Sequence, residues 1–312
     1  MAKGKLVPTP AIFYARVGSP GERESSRVSP ATRNPEGLPP VKARLLPPLI
    51  LLVALSGATS WFFEVRVREE DALLDGFTRT ATRGVAPSDT EAVAIALARA
   101  AFLRTNRTVR PEELGLYEQL ESRSFLNMTS AVSLRHGAYG FAGQPHLGPC
   151  GTSTRVTLRA LGRVGIAARK LHLLDDPSPE EFGHTMVEFR SGGRWLVVSP
   201  GDSAFTWRTH DGRIATLAEI RADSSIFGEI FERYPGYPYR FGNTRNIRWE
   251  KLPRVVRATF RLMLGRTAYE EATTPALYDD PRRLFLLASR LALGCSALAA
   301  VLAWRPWRRR AV

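Results

Sequence analysis

Residues 45 to 63, LLPPLILLVALSGATSWFF, run for 19 positions without a charged side chain. A helix needs about 20 mostly apolar residues to cross the hydrocarbon of a bilayer. The run therefore predicts a membrane span, and whatever folds after it is expected to be tethered. A secretory signal peptide is the rival reading, but its basic leader would be 44 residues long and no clear Ala-x-Ala site follows. An uncleaved anchor is the expectation. Near the other end, residues 284 to 304 form a second apolar run, interrupted by Arg290, whose long stem could snorkel toward the interface. A second span is expected there, with an interfacial helix as the alternative.

The formal charge is +14, which would ordinarily raise nucleic acid as a partner. Its location argues otherwise. Residues 1 to 44 hold eight Lys/Arg against three Glu, and Arg305, Arg308, Arg309 and Arg310 crowd the last eight positions. Most of the excess thus flanks the hydrophobic runs, where it sets topology, so no nucleic-acid partner is expected. Arg27, Arg33, Lys42 and Arg44 before the first run balance Arg66, Arg68, Arg79 and Arg83 after it. The arginines after the second run outnumber Arg266, Arg282 and Arg283 before it. Both tails on the cytoplasmic side of an inner or plasma membrane, with the globular part extracytoplasmic, is the topology this predicts.

Composition divides the chain into a disordered basic tail (1–44), an anchor (45–63), a helical lead-in (64–144), an informative core (145–225), an aromatic and basic extension (226–283), a second span (284–304) and a basic tail (305–312). Within the lead-in, 89–104 reads as an Ala-rich helix opened by an acidic turn, and 111–122 as a second helix opened by Pro-Glu-Glu. The aromatics of 226–263 are expected in core and loop packing, with a substrate-binding or membrane-apposed surface as the alternative.

Of the two cysteines, Cys295 lies in the second apolar run, which leaves Cys150 as a lone thiol in the globular part. A Gly-Pro turn precedes it, and the spacing of Val156, Leu158, Leu161 and Val164 predicts a buried helix that starts at the thiol. Gly165 suits a left-handed cap, with Ile166 packing back over it. Unpaired backbone N–H groups and the positive end of the helix dipole favour a thiolate at such a position. Residues 167–174 then read as a strand, and GHTMVEFRSGGRWLVVSP as a hairpin turning at Ser191-Gly192-Gly193. By the period of two, His184, Met186 and Glu188 share one face while Val187 and Phe189 take the other. His184 is expected to face the thiol and to act as its base.

The sequence G-P-C-G-T, the helix, G-I-A-A-R, G-H-T-M-V-E-F and R-W-L-V-V-S-P, over about residues 145 to 201, together resemble the core of the transglutaminase-like superfamily. The resemblance implies an α+β, papain-like fold in which the Cys-bearing helix is followed by antiparallel strands. It also implies a nucleophile at Cys150, a base at His184 and amide-bond chemistry by acyl transfer or hydrolysis. Where that family places Asp before Pro, this chain has Ser199-Pro200. Serine can fix an imidazole tautomer but supplies no negative charge. Asp202 and Glu188 are the candidates to supply it. Gln144 stands where the oxyanion-hole glutamine of papain-like enzymes often does. No cofactor is expected. His146, His172 and Cys150 lack metal-site spacing, so zinc is a minor reading.

The expected function is that of a membrane-anchored cysteine acyl transferase or peptidase acting on envelope proteins or peptides. Its partners would be a peptide carbonyl substrate, the lipid bilayer and a possible membrane-protein assembly. The alternative is an impaired pseudoenzyme that keeps the fold as a binding or scaffolding module. A metal or redox sensor built on Cys150 is the weakest reading.

Overall fold

The computed structural model describes residues 41–124, 128–142, 149–174, 183–233, 241, 244–247, 249, 252–266, 269 and 280–308. The chain divides into two units, 1–44 and 45–312. The expected disordered tail lies almost wholly outside the described residues.

Helix α1 (Val41–Ala81) carries the first apolar run and continues past it for another 18 residues. At 1.5 Å per residue its length is roughly 60 Å, about twice the thickness of a hydrocarbon core. The expected boundary at residue 63 is therefore a change of surface chemistry within one helix. From Glu64 onward Arg66, Arg68, Glu69, Glu70 and Asp71 replace the apolar residues. Helix α9 (Pro281–Arg308) carries the second run. Two stretches, Leu45–Ala81 and Pro281–Trp304, are long and apolar enough to cross a membrane, and only 6% and 17% of their most apolar windows are buried.

The two helices lie side by side and antiparallel. Phe63 stacks on Phe285 at 5.3 Å, Gly57 approaches the Leu293 side chain, and the Arg282 guanidinium donates to the Arg66 carbonyl. Arg290, expected to snorkel, instead pairs with Glu64 at the edge of the uncharged run. Just beyond, Arg282 forms a bidentate ion pair with Glu121 of α3 (Leu116–Ser124), both side chains 1% exposed. Arg283 holds Asp71, and Arg159 holds Asp280.

Helix α2 (Thr90–Arg104) starts where the acidic turn predicts, with the Asp89 carboxylate accepting from the Ala92 N–H. The helix expected over 111–122 is split. Pro111–Glu113 form a 3-10 turn, in which the Glu113 carboxylate caps the Arg110 N–H. Leu114 is extended, and α3 begins only at Leu116, after Gly115. The lead-in also contains two short parallel strands that the sequence does not announce, β1 (Arg107–Val109) and β2 (Ala138–Phe141), with α4 (Ser130–His136) between them in the chain.

The centre of the molecule is a four-stranded antiparallel sheet in the order β5-β4-β3-β6. It is formed by β3 (Ala168–Leu174), β4 (Gly183–Ser191), β5 (Arg194–Val198) and β6 (Thr244–Arg245). Gly192 and Gly193 both take positive φ, 54° and 79°, which supplies the tight β4–β5 turn. One face of the sheet buries Val187, Phe189, Leu196 and Val198 against α2 and against Ala160 and Leu161 of α5 (Pro149–Arg163). The other face buries Leu171, Leu173, Met186 and Val197 against Trp207, Ile220, Ile226, Ile230 and Phe241. Helices α6 (Leu217–Ala222) and α7 (Ser224–Arg233) belong to this second layer. The expected boundary at 225/226 therefore falls inside α7, and Phe227 and Phe241 pack edge-on as core aromatics. Helix α8 (Arg254–Leu264) follows and has no buried residue.

Candidate active site

Helix α5 opens with Pro149, whose missing N–H costs nothing in a first turn, and Cys150 follows at once. Its far end closes as the sequence predicts. Gly165 has φ +76° and the Ile166 N–H reaches back to the Leu161 carbonyl at 3.0 Å. Val156 and Leu161 are fully buried, whereas Val164, expected in the same stripe, is 41% exposed because it lies in the capping turn. The helix is fastened to the sheet beside the thiol, where the buried Thr154 hydroxyl donates to the Thr185 carbonyl at 3.0 Å. On its other side the Thr152 hydroxyl donates to the Tyr139 carbonyl of β2 at 3.0 Å.

The thiol and the imidazole meet. The His184 ring lies beside the Cys150 thiol, close enough to shift its ionisation, and the Thr185 hydroxyl donates to Sγ at 3.7 Å. The expected face assignment needs one correction. Helix α5 packs on the face of β4 that carries Val187 and Phe189, so by alternation the strand residue facing the helix is Thr185. His184 sits at the start of the strand with the opposite parity, opposite Leu173 of β3, and its ring still reaches the sulfur. Gly201 marks where the two converge. A Cβ built there would lie 2.7 Å from the Cys150 Cβ and 3.2 Å from the His184 Cε1.

The third position is filled by two residues acting together. Ser199 ends the β5 edge, fully buried, with its Oγ 2.8 Å from His184 Nε2. The chain then makes a 3-10 turn, Pro200–Asp202, which brings the Asp202 Oδ2 to 3.0 Å from the same Nε2. The Ser199 hydroxyl donates to that carboxylate oxygen at 2.6 Å. Since the serine's single hydrogen is given to Asp202, Nε2 is the donor to both oxygens. This places a proton on Nε2. Ser203 and Ala204 follow with φ of 56° and 63°, a left-handed pair that returns Phe205 to hydrogen-bond with Ser199. Such conformations are uncommon and costly for residues with a Cβ.

Electrostatics follow from the geometry. Burial pushes the Cys150 thiol up, but the neighbouring His184 and Thr185 outweigh it and bring the thiol down to about 7. For His184, burial disfavours the charged ring, while Asp202 and the Cys150 sulfur favour it and raise it to about 9. Both shifts favour a thiolate beside an imidazolium. Cys150 as a residue remains partly exposed to solvent.

Of the residues singled out from sequence, Cys150, His184, Ser199 and Asp202 come together. Glu188 does not. It is buried further along β4, where it takes a bidentate ion pair from Arg169 at 2.7 and 3.2 Å and a hydrogen bond from Asn246. Gln144 and His146 lie outside the described residues. Thr185 and Gly201 were not singled out. Their only sequence signals are adjacency to His184 and a glycine in the turn between Ser199 and Asp202. Comparison with family models, curated proteins and solved structures finds no match to this chain.

Proposed function

We propose that this chain is a membrane-tethered cysteine enzyme of transglutaminase-like type, acting on the amide carbonyls of peptides or proteins. The observation that carries the proposal is the Cys150 thiol lying beside the His184 imidazole, whose Nε2 is held by the Ser199–Asp202 pair. An isolated structural thiol in a core has no use for a hydroxyl donor and an oriented imidazole. A nucleophile needs both. The carboxylate that the Ser199-Pro200 sequence lacks at the expected place is supplied three residues later, so charge is available to stabilise the imidazolium.

In the reaction this supports, the Cys150 thiolate attacks the carbonyl carbon of the substrate amide. The carbon–nitrogen bond then breaks as the His184 imidazolium gives its proton to the departing amine, leaving a thioester on Sγ. A water or a second amine attacks that thioester, giving its proton to the now neutral imidazole. The acyl group leaves on the new nucleophile and the thiolate–imidazolium pair is restored. The backbone N–H groups of the first turn of α5 have no partners within the helix and are the donors this reading assigns to the developing oxyanion.

Tethering is part of the same reading. The most apolar windows of α1 and α9 are hardly buried, unlike those of a core helix, and the two helices run antiparallel. Crossing a bilayer as a pair, they would set both tails on one side and the Cys/His domain on the other, at the membrane surface where envelope peptides are accessible.

The test is the acyl-enzyme. The full chain in detergent, incubated with a peptide mixture and quenched in acid, is expected to show peptide-derived acyl mass on Cys150 by mass spectrometry, absent in Cys150→Ala and in His184→Ala. If wild type carries no such adduct and iodoacetamide labels Cys150 no faster than free cysteine, the fold is a binding module and the enzyme reading fails.

A further inference from the structure

Helix α8 has an unusual division of its surface. At 3.6 residues per turn, Arg254, Arg257 and Arg261 fall within about 60° of one another, while Val255, Val256, Thr259, Phe260, Leu262, Met263 and Leu264 cover a continuous arc of roughly 200°. In a water-soluble domain that arc would face the core. Here Val255, Leu262 and Met263 are 78%, 86% and 75% exposed, Val256, Phe260 and Leu264 at one edge of the arc are partly covered, and Arg257 is half-buried. The helix is nonetheless held in place at its base. Trp249 stacks on Tyr269 at 4.1 Å, donates its indole N–H to the Tyr269 carbonyl, and meets the Phe260 ring at 5.5 Å.

Two further features identify what covers the arc. Residues 252 to 266 contain four arginines and no acidic residue, the charge pattern that complements an anionic surface. The same chain carries two helices long and apolar enough to cross a bilayer, and 16 residues, 265 to 280, separate α8 from the second. An 11-residue helix binds lipid weakly by itself, but a tethered one meets the surface at high effective concentration. We infer that α8 lies in the plane of the membrane, its apolar arc among the acyl chains and its arginines among anionic phospholipid headgroups. The inference rests on the tethering part of the proposed function and is independent of the chemistry at Cys150. It gives the domain a third point of contact with the bilayer, beside the two spans.

Spin labels distinguish the possibilities. In the full chain with Cys150→Ser and Cys295→Ala, a nitroxide is placed either at Met263→Cys or, as a separate sample, at Leu298→Cys, both well exposed in the protein. Samples are reconstituted into vesicles of phosphatidylcholine alone or with phosphatidylglycerol, and collisions with oxygen and with a water-soluble nickel chelate are compared. With phosphatidylglycerol the Met263 label is expected to favour oxygen, at a depth of roughly 5–10 Å below the headgroups. Replacing Arg254, Arg257 and Arg261 by Gln should weaken that partitioning by about fivefold per arginine. A Met263 label open to nickel in both lipids, with Leu298 shielded, overturns the inference and leaves the anchors standing. Both labels open to nickel overturns the anchoring as well. A Met263 label shielded from both reagents assigns the arc to protein contact, with a second copy if dilution releases it, and also overturns the inference.

Discussion

At the residue scale the thiol and the imidazole lean in opposite directions, and the sign of each shift sets the pH dependence of any chemistry they perform. Cys150 is brought down to about 7, so the nucleophilic thiolate is lost as pH falls through that value. His184 is raised to about 9, so the proton needed by the leaving amine is lost as pH rises through that value. Acyl transfer is therefore expected to follow a bell with limbs near 7 and 9, which belong to the pair as a unit. Iodoacetamide labelling needs only the thiolate and should rise through about pH 7 and then level off. His184→Ala should slow labelling at neutral pH and move its midpoint toward the ordinary thiol range near ~8.5. The Ser199–Asp202 pair separates by charge. Asp202→Asn removes the only carboxylate at His184 Nε2 among the described residues and is expected to lower turnover by roughly 10²- to 10⁴-fold. Ser199→Ala leaves that carboxylate 3.0 Å away and should cost about tenfold or less. Equal losses in the two variants would mean that the hydroxyl, not the charge, orients the ring.

At the scale of elements, what the sequence makes legible is what has a short period or a local cap. The α5 helix, its glycine closure, the hairpin and the acidic start of α2 are all local, and the residues themselves specify them. The pairing of β1 with β2 is not legible, because three or four residues joined across a long connection carry no periodic signal. The split at Leu114-Gly115 is hidden for a related reason: Pro-Glu-Glu opens a 3-10 turn as readily as a helix, and the Glu113 cap on Arg110 decides between them. At the site, alternation along β4 ranks residues by face, but the end of a strand is where a ring can escape that rule, as His184 does. The turn that delivers Asp202 depends on left-handed Ser203 and Ala204, positions where neither a glycine nor an asparagine gives the conformation away. The contact between α5 and the sheet makes a prediction of its own. Thr154→Val keeps the shape but leaves the Thr185 carbonyl without that donor, and should destabilise the domain by about 1–2 kcal/mol. Gly201→Ala puts a methyl 2.7 Å from the Cys150 Cβ. Its cost should be about 1–3 kcal/mol by overpacking, with slower labelling of Cys150. Calorimetry and the labelling rate, measured on the same samples, check both.

At the scale of the whole molecule, the question is whether the paired helices merely trail from the domain or are bolted to it. The chemistry at the junction favours bolting. Arg282 at the start of α9 is buried with Glu121 of α3 and close to Glu70 of α1, three ionisable side chains from three helices with almost no contact with water. Beside them Arg283 holds Asp71 and Arg159 of α5 holds Asp280, so the cluster reaches the helix that carries Cys150. A buried pair adds little net stability over an apolar replacement, but removing one partner strands the other. Arg282→Ala would leave Glu121 and Glu70 buried without their cation, and is expected to cost about 3–5 kcal/mol. Arg282→Met combined with Glu121→Leu and Glu70→Gln should recover most of that loss. Arg290→Ala tests the contrast. Its partner Glu64 lies at a more exposed edge, and loss of that pair should cost about 1 kcal/mol or less. Thermal unfolding of the full chain in detergent, followed by tryptophan fluorescence, ranks the three variants. If Arg282→Ala melts with wild type, the helices are a flexible tether and the site is free to tilt over the membrane. If it melts well below, as this packing requires, the pair fixes α5 and its Cys150 against α1 and α9, and under the proposed function only peptide bonds presented at one height above the bilayer would come within reach.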